Sequence, residues 1–373
     1  MSHPIEVTRP FELLDHPNAE SLFQPVIWRS KRIPSRVLLA PINTGYTTLS
    51  RPSYRLLRFH RERSGPTIGI SMLGNVAVEL SARANDCTAI LRSDRDIPRF
   101  AVIARSISQR GSLAGIQLAS APGNLFPARR WRASSKPAEV IRLREILSSY
   151  TDEEINRHLA SFVRSAFLAV EAGYDVVQVH AAHGYLLSLL LHPQTNTRVG
   201  CFSLDASWFE EFLEEVNDAL GESLLSIRLS TLIGLAPEDE EIEWTRFIED
   251  RAAKSGVDIL DLSAGFYTID RQLIYPGQRW MMPVYSRWLK TLTHDLPCLV
   301  AIAGRFTDFR KVAEKLPVNT LVAVGRALIA DPDFAEKSRD GRYDEINFCQ
   351  LKNYCHYFSR GRKALECGVN PTL

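Results

Sequence analysis

Eight short apolar runs recur along this chain, and their spacing leaves few folds open to it. They are Arg36–Ala40 (RVLLA), Thr67–Ser71 (TIGIS), Ala114–Leu118 (AGIQL), Asp175–His180 (DVVQVH), Leu224–Leu229 (LLSIRL), Val257–Leu262 (VDILDL), Cys298–Ala303 (CLVAIA) and Asn319–Val324 (NTLVAV). Apolar and polar residues do not alternate within them, which is the pattern of parallel strands covered on both faces. Helical patterns lie between the runs. The clearest covers Thr151–Ala172, where Thr151 with Glu154 three residues on makes a capping box and Gly173 stands at the C′ position. Ser207–Ala219 and Thr245–Lys254 are amphipathic in the same way. Strands alternating with helices allow a doubly wound sheet or a (β/α)₈ barrel. Eight units spread over the whole chain favour the α/β barrel, with residues 1–373 as one domain. Residues 119–150 hold Pro122, Gly123, Pro127 and Pro137, with Arg129, Arg130 and Arg132 around Trp131, and read as a loop excursion over the barrel mouth. Residues 340–373 read as a C-terminal extension packed on the barrel.

Several function classes drop out. Lys+Arg 45 against Asp+Glu 43 is too balanced for a chain that coats nucleic acid. The longest apolar run, Tyr185–Leu191, is far short of a bilayer span of about 20 residues. The opening MSHPIEVTRPFELLDH does not read as a signal peptide. Six cysteines are too few for a disulfide framework, so a reducing cytoplasm is the default. There is no GxGxxG after a strand, no P-loop, no GxSxG and no HExxH. Any nucleotide site must be built differently.

Barrel active sites lie at the C-terminal ends of the strands. Here those ends carry Pro41, Ile42 and Asn43, then Gly74, Gln117, His180, Arg228, Ser263, Gly304 and the pair Gly325-Arg326. A purely structural barrel has no need of so many polar and glycine residues there. Arg228 interrupts an otherwise apolar run, and a buried guanidinium needs an internal partner.

The segment EAGYDVVQVHAAHGYLLSLLLHPQTNTR (Glu171–Arg198) resembles the Old Yellow Enzyme family of flavin reductases, and so does VAVGRALIADPDF (Val322–Phe334). The motifs stay in register from RVLLAPIN (Arg36–Asn43) to ECGVNP (Glu366–Pro371). The resemblance implies a (β/α)₈ barrel holding FMN at its C-terminal face. It further implies NAD(P)H as a transient reductant and a carbonyl-conjugated alkene as substrate. By resemblance His180 and His183 hold the substrate carbonyl oxygen, where two donors stabilise the charge of a developing enolate. Tyr185 matches the proton donor, since a phenol of pKa about 10 stays protonated at neutral pH. Gln117 and Arg228 face the flavin pyrimidine edge, the latter stabilising negative charge near N1. Gly304, Arg305, Gly325 and Arg326 hold the phosphate. Pro41, Ile42 and Asn43 wall the ring, and Gly74 leaves room beside it. An HxxH could also be a helix face or a metal pair, but no third ligand is evident, so no metal is expected.

The sequence departs from the family in three places. Arg198 is followed by Val199-Gly200-Cys201-Phe202 instead of an acidic Tyr-Gly-Gly continuation, which remodels residues 199–206. Asn43 stands where Thr or Cys is usual. Larger relatives carry a [4Fe–4S] cluster on four cysteines; here Cys349, Cys355 and Cys367 remain and Lys352 takes the second place. A cubane wants four thiolates, so no iron–sulfur cluster is expected and the cysteines read as buried small hydrophobes. No relay domains follow in this sequence, so reduction is expected from a freely diffusing donor. Residues 266–285, with Phe266, Tyr267, Tyr275, Trp280, Met281 and Met282, suggest an apolar lid and a small hydrophobic enone as partner. A homo-oligomer is left open. The competing reading is a non-catalytic flavin-barrel scaffold. Another FMN barrel, such as a hydroxy-acid oxidase or a dihydrouridine synthase, would use a different set of strand-end residues.

Overall fold

The computed structural model describes residues 5–6, 19–122, 135–278, 296–312 and 316–373. Eight strands form the barrel: β1 (Val37–Ile42), β2 (Ile70–Ala77), β3 (Leu113–Ala119), β4 (Val176–Ala181), β5 (Leu224–Leu232), β6 (Ile259–Ala264), β7 (Leu299–Ala303) and β8 (Thr320–Val324). Each pairs in parallel with its sequence neighbours, and β1 pairs with both β2 and β8, which closes the sheet. The barrel expected from the apolar runs is therefore the fold. The second run was placed early: the strand begins at Ile70, after a bend in which Gly65 and Ile68 bridge each other.

Helices cover the outside. The long helix Asp152–Glu171 starts at the capping box of Thr151 and Glu154, and Gly173 follows it at φ 86°. Trp208–Leu220 and Glu238–Lys254 flank β5. The latter begins seven residues before the expected Thr245, because its first turn is acidic and carries no apolar periodicity. Residues 119–150 are not all loop. A helix runs over Lys136–Ser148, with Ser135 as N-cap and Pro137 in its first turn. Proline is tolerated there because the first turn has no intrahelical use for its N–H. Pro127 and the Arg129, Arg130, Trp131 and Arg132 cluster lie outside the described residues.

One end of the barrel is shut. The hairpin of Val26–Trp28 and Lys31–Ile33 brings Val26 and Ile33 against Leu38, Ile70, Val176, Leu224, Ile259, Leu299 and Leu321, the first inward residues of seven strands. Trp28 Nε1 donates to Asp258 Oδ1 at 2.9 Å across the floor. Chemistry is thus confined to the opposite, C-terminal end. The tail lies across that end: Leu365 N–H donates to Thr44 O at 2.8 Å, and Asn370 Nδ2 donates to Ile329 O at 2.9 Å.

Candidate active site

Strand side chains alternate between barrel interior and helices. Climbing β4, Val176, Gln178 and His180 point inward; on β5 the series is Leu224, Ser226 and Arg228; on β6 it is Ile259, Asp261 and Ser263. Each series goes from apolar at the floor to polar at the mouth. The opposite wall ends instead in the small residues Ala40, Ala303 and Ala323, which leaves space. The result is a cavity of about 960 Å³, a size typical of cofactor and ligand sites.

Twelve of the thirteen residues singled out from the sequence line this cavity: Pro41, Ile42, Asn43, Gln117, His180, His183, Tyr185, Arg228, Gly304, Arg305, Gly325 and Arg326. Gly74 does not. A Cβ on it would come within 2.7 Å of Pro41 Cβ and 2.9 Å of Gln117 Cβ. The glycine therefore makes room for two residues of the wall and not for a ligand.

The interior polar residues form one network. Strand register sets Gln178 beside Gln117, and Arg228 between His180 and Asp261. Gln117 Nε2 donates to Gln178 Oε1 at 2.8 Å, and Gln178 Nε2 donates to Asp261 Oδ2 at 3.0 Å. Arg228 Nη1 donates to the same oxygen at 3.2 Å. Burial pushes the Asp261 carboxyl up, against the pull of Arg228 and Gln178. Arg228 is thus both an internal ion pair and a cavity residue. Its Nε is buried without a hydrogen-bond partner among the described residues.

The histidines sit on the adjoining rim. His183 has φ 64°, a left-handed conformation uncommon outside glycine, and its N–H is held by Ser230 Oγ at 2.8 Å. His180 Nε2 and His183 Nδ1 lie 3.4 Å apart. Donor-only groups decide what these nitrogens carry. The Ala182 N–H donates to His180 Nδ1 at 3.2 Å, which leaves the His180 proton on Nε2. Arg228 Nη2 donates to Ser263 Oγ at 3.3 Å, and that oxygen is 2.8 Å from His183 Nε2. The His180 Nε2–H then donates to His183 Nδ1, so the His183 proton lies on Nε2 and is given to Ser263 Oγ, which accepts from Arg228 as well. Burial and the nearby Arg228 hold both imidazoles well below their ordinary pKa, so they are neutral donors at neutral pH. Tyr185 stacks on His180 with centroids 4.4 Å apart, and burial raises its phenol well above 10.

Sequence reasoning missed several wall residues. Asn75 donates to the Tyr185 hydroxyl at 2.7 Å. His356, Tyr357 and Arg360 come from the tail, whose cysteines had drawn the attention. Those cysteines are half-buried, not buried, and Cys355 lines the cavity. Among the described residues no group of three His, Cys, Asp or Glu is placed to hold a metal ion. The proposed lid is only partly a lid. Tyr267 and Tyr275 line the cavity, with hydroxyls 2.7 Å apart, whereas Phe266 is buried behind Gly184. Trp280, Met281 and Met282 lie outside the described residues. No residue of 199–206 reaches the cavity; Cys201 and Arg198 instead bond Asp152 at the start of the long helix.

Residues 21–345 match the NADH:flavin oxidoreductase / NADH oxidase family. The chain belongs to that family. It is 28% identical over 367 residues to an NADH oxidase of Thermoanaerobacter brockii, covering 91% of this chain and 54% of the relative. It is 26% identical over 348 residues to an NADPH dehydrogenase of Bacillus subtilis, covering 88% and 97%. The chain thus spans about half of the first relative and nearly all of the second. An Old Yellow Enzyme homologue from Zymomonas mobilis superposes with a TM-score of 0.66 at 16% identity, covering 88% of this chain and 94% of that one. A 2-naphthoyl-CoA reductase in complex with 2-naphthoyl-CoA superposes at 0.75 and 20%, covering 95% and 57%. These superpositions show the shared barrel. The Old Yellow Enzyme resemblance read from the motifs agrees with the family match.

Membership in the family implies a flavin, and the cavity fits one. Among its described wall residues are five arginines (Arg228, Arg271, Arg305, Arg326 and Arg360) and no Asp or Glu. That wall suits a phosphate and an electron-rich ring. The orphaned Arg228 Nε and the free side of the Gln117 amide supply polar groups at one edge. No helix among the described residues is long and apolar enough to cross a membrane.

Proposed function

We propose that this protein is an FMN-dependent NAD(P)H oxidoreductase that reduces a carbonyl-conjugated C=C bond, or runs the same chemistry in reverse. The observation that carries the reading is the pairing of His180 and His183, with Nε2 and Nδ1 3.4 Å apart, beside the Tyr185 phenol. When bound, FMN supplies the hydride that NAD(P)H first delivers to it. Gln117 and Arg228 would hold its pyrimidine edge, and Gly304, Arg305, Gly325 and Arg326 its phosphate. Arg326 is already committed in part, since Nη1 donates to Pro276 O at 2.7 Å and Asn353 Oδ1 at 3.0 Å.

The chain's own residues do the rest. A substrate carbonyl oxygen entering between the two imidazoles takes the His180 Nε2–H from His183, and it accepts a second N–H when the His183 proton shifts from Nε2 to Nδ1 and the Ser263 hydroxyl turns to donate to Nε2; charge developing on it is then stabilised while both imidazoles stay neutral. Tyr185 gives its proton to the α-carbon. Tyr267 and Tyr275 restrict water at the mouth. The Thermoanaerobacter brockii and Bacillus subtilis relatives differ in the nicotinamide they are named for, NADH for one and NADPH for the other, so this reading leaves the donor as either. A small-molecule substrate without nucleic-acid or membrane partners fits a cavity of this size.

The test separates the half-reactions of the holoenzyme in rapid kinetics. Tyr185→Phe should retain FMN and accept electrons from NAD(P)H, while oxidation by an enone such as cyclohexenone slows about 10²-fold or more. Unchanged enone reduction removes Tyr185 from the role. A wild-type flavin that no nicotinamide bleaches anaerobically favours the scaffold reading instead.

A further inference from the structure

A chain of four side chains ends on the Tyr185 oxygen, and a backbone group fixes its direction. The Gly45 N–H donates to Asn43 Oδ1 at 3.2 Å. A backbone N–H can only donate, so the Asn43 atom facing it is the carbonyl oxygen. The Tyr357 hydroxyl, 2.8 Å from the same oxygen, must then donate to it. The Asn43 amide nitrogen is left to face the other way. It donates to Asn75 Oδ1 at 2.9 Å and to Thr88 Oγ1 at 3.1 Å, which uses both of its hydrogens. With Asn75 Oδ1 accepting, Asn75 Nδ2 faces Tyr185 and donates to its oxygen at 2.7 Å. Every orientation follows from the first. The start of the chain is itself clamped: Gly45 has φ 68°, and a Cβ there would collide with the Lys363 carbonyl oxygen.

We infer that Asn43 and Asn75 are positioning residues that make the Tyr185 oxygen an acceptor, so that its hydrogen is directed away from the amide and into the cavity. The inference rests on the proton-donor reading of Tyr185 given above. In the proton step the Tyr185 O–H bond breaks and a C–H bond forms at the substrate α-carbon. The phenolate that remains keeps the Asn75 N–H, and solvent water returns the proton. The same contact opposes the burial that raises the phenol. It also gives a use to Asn43, one of the residues read from the sequence as a departure from the family. A threonine or cysteine there lacks the second arm that reaches Asn75 while the first holds Gly45.

Two near-isosteric variants reverse the direction of the chain. In Asn75→Asp, residue 75 has no hydrogen to donate, so the Tyr185 hydroxyl must donate to it. In Asn43→Asp, the Asn75 amide turns its nitrogen to residue 43 and its oxygen to Tyr185, with the same result at a site that does not touch Tyr185. The tyrosine Fermi doublet in Raman spectra distinguishes an accepting from a donating phenol. It is read here as the difference between each protein and the same protein carrying Tyr185→Phe, and it requires no turnover. The expected result is an acceptor signature for the natural chain and a donor signature for both aspartate variants. In rapid kinetics, oxidation of the reduced holoenzyme by cyclohexenone should slow at least tenfold in Asn75→Asp, with a larger solvent deuterium isotope effect as protonation becomes limiting. Asn75→Leu, which removes the contact without reversing it, should fall between. A donor signature in the natural chain, or no change in either aspartate variant, overturns the inference. The expected Raman pattern in a protein that reduces no alkene would instead overturn the proposed function and leave the hydrogen-bond polarity standing.

Discussion

Replacing Arg228 by methionine isolates the ion pair at the centre of the barrel. Methionine has a similar reach and no charge, so the change leaves Asp261 buried with the Gln178 amide as its remaining donor among the described residues. Removing one partner of a buried pair costs about 3–5 kcal/mol, because the other charge is left uncompensated. Unfolding entropy of about 2.1 cal/mol/K per residue over 373 residues makes that a drop in Tm of roughly 4–6 °C. The loss must depend on pH. Burial already pushes the Asp261 carboxyl up, and without Arg228 it rises further. A raised carboxyl binds a proton in the folded state that the unfolded chain releases, so stability falls as pH rises. The deficit of Arg228→Met should therefore be small near pH 5 and full near pH 8. Adding Asp261→Asn should recover much of it, since a neutral amide replaces the stranded charge. Scanning calorimetry of the apoprotein at both pH values measures all three variants. An equal deficit at the two pH values, or no recovery in the double variant, would refute the reasoning.

Gly74→Ala forces a methyl to within 2.7 Å of Pro41 and 2.9 Å of Gln117. It should cost about 1–3 kcal/mol of stability and weaken FMN binding at least tenfold, as read by flavin fluorescence. Burial pushes the Glu249 carboxyl up to about 8, so it weakens the fold as pH rises from 4.5 towards 8; Glu249→Gln should remove that slope, worth about 1.4 kcal/mol per pH unit, in melts across the range. Burial holds His60 and His356 at about 3 and His192 at about 4. Their stabilising contribution is present above 6.5 and lost as pH falls towards those values, so Tm should drop between pH 6.5 and 4, and a constant Tm there would contradict it. His180 and His183 stay neutral and Tyr185 stays protonated between about pH 6.5 and 10, so enone oxidation of the pre-reduced enzyme should be level across that window in stopped-flow measurements.

The barrel was legible because buried parallel strands must be apolar on both faces, and little else writes that pattern eight times. What failed were elements whose signals are not apolar. The first turn of Glu238–Lys254 is four acidic residues, favoured by the helix dipole and silent in hydrophobic periodicity. Pro137 looked like loop punctuation but begins a helix. In the site, residues at strand ends were visible because the fold fixes their height. Asn75 was not: it follows Gly74 at the end of β2, and nothing in GNV marks its side chain as facing Tyr185. Tyr357 was less visible still, since a residue 314 positions from Asn43 becomes its partner only through the path of the tail.

The wall that was hardest to read also explains why the legible residues behave as a unit. Arg228 was identified for its charge, yet the tautomers of His180 and His183 are set by the Ala182 N–H, which leaves the His180 proton on Nε2 and makes His183 Nδ1 its acceptor. Gly45 does the same for Tyr185 through Asn43 and Asn75. In each case a backbone N–H, which can only donate, lies at the far end of an imidazole or amide that can do either, and the ambiguity is resolved in the free site. Histidine, tyrosine, serine and asparagine side chains can each point a hydrogen either way, so a site made of them alone has no fixed electrostatic sense. Preorganisation here comes from where the backbone N–H groups are anchored, which strand register and the clamp of the tail on Gly45 determine. A barrel of the same family that kept His180, His183 and Tyr185 but moved these anchors would present the same side chains and stabilise a different charge.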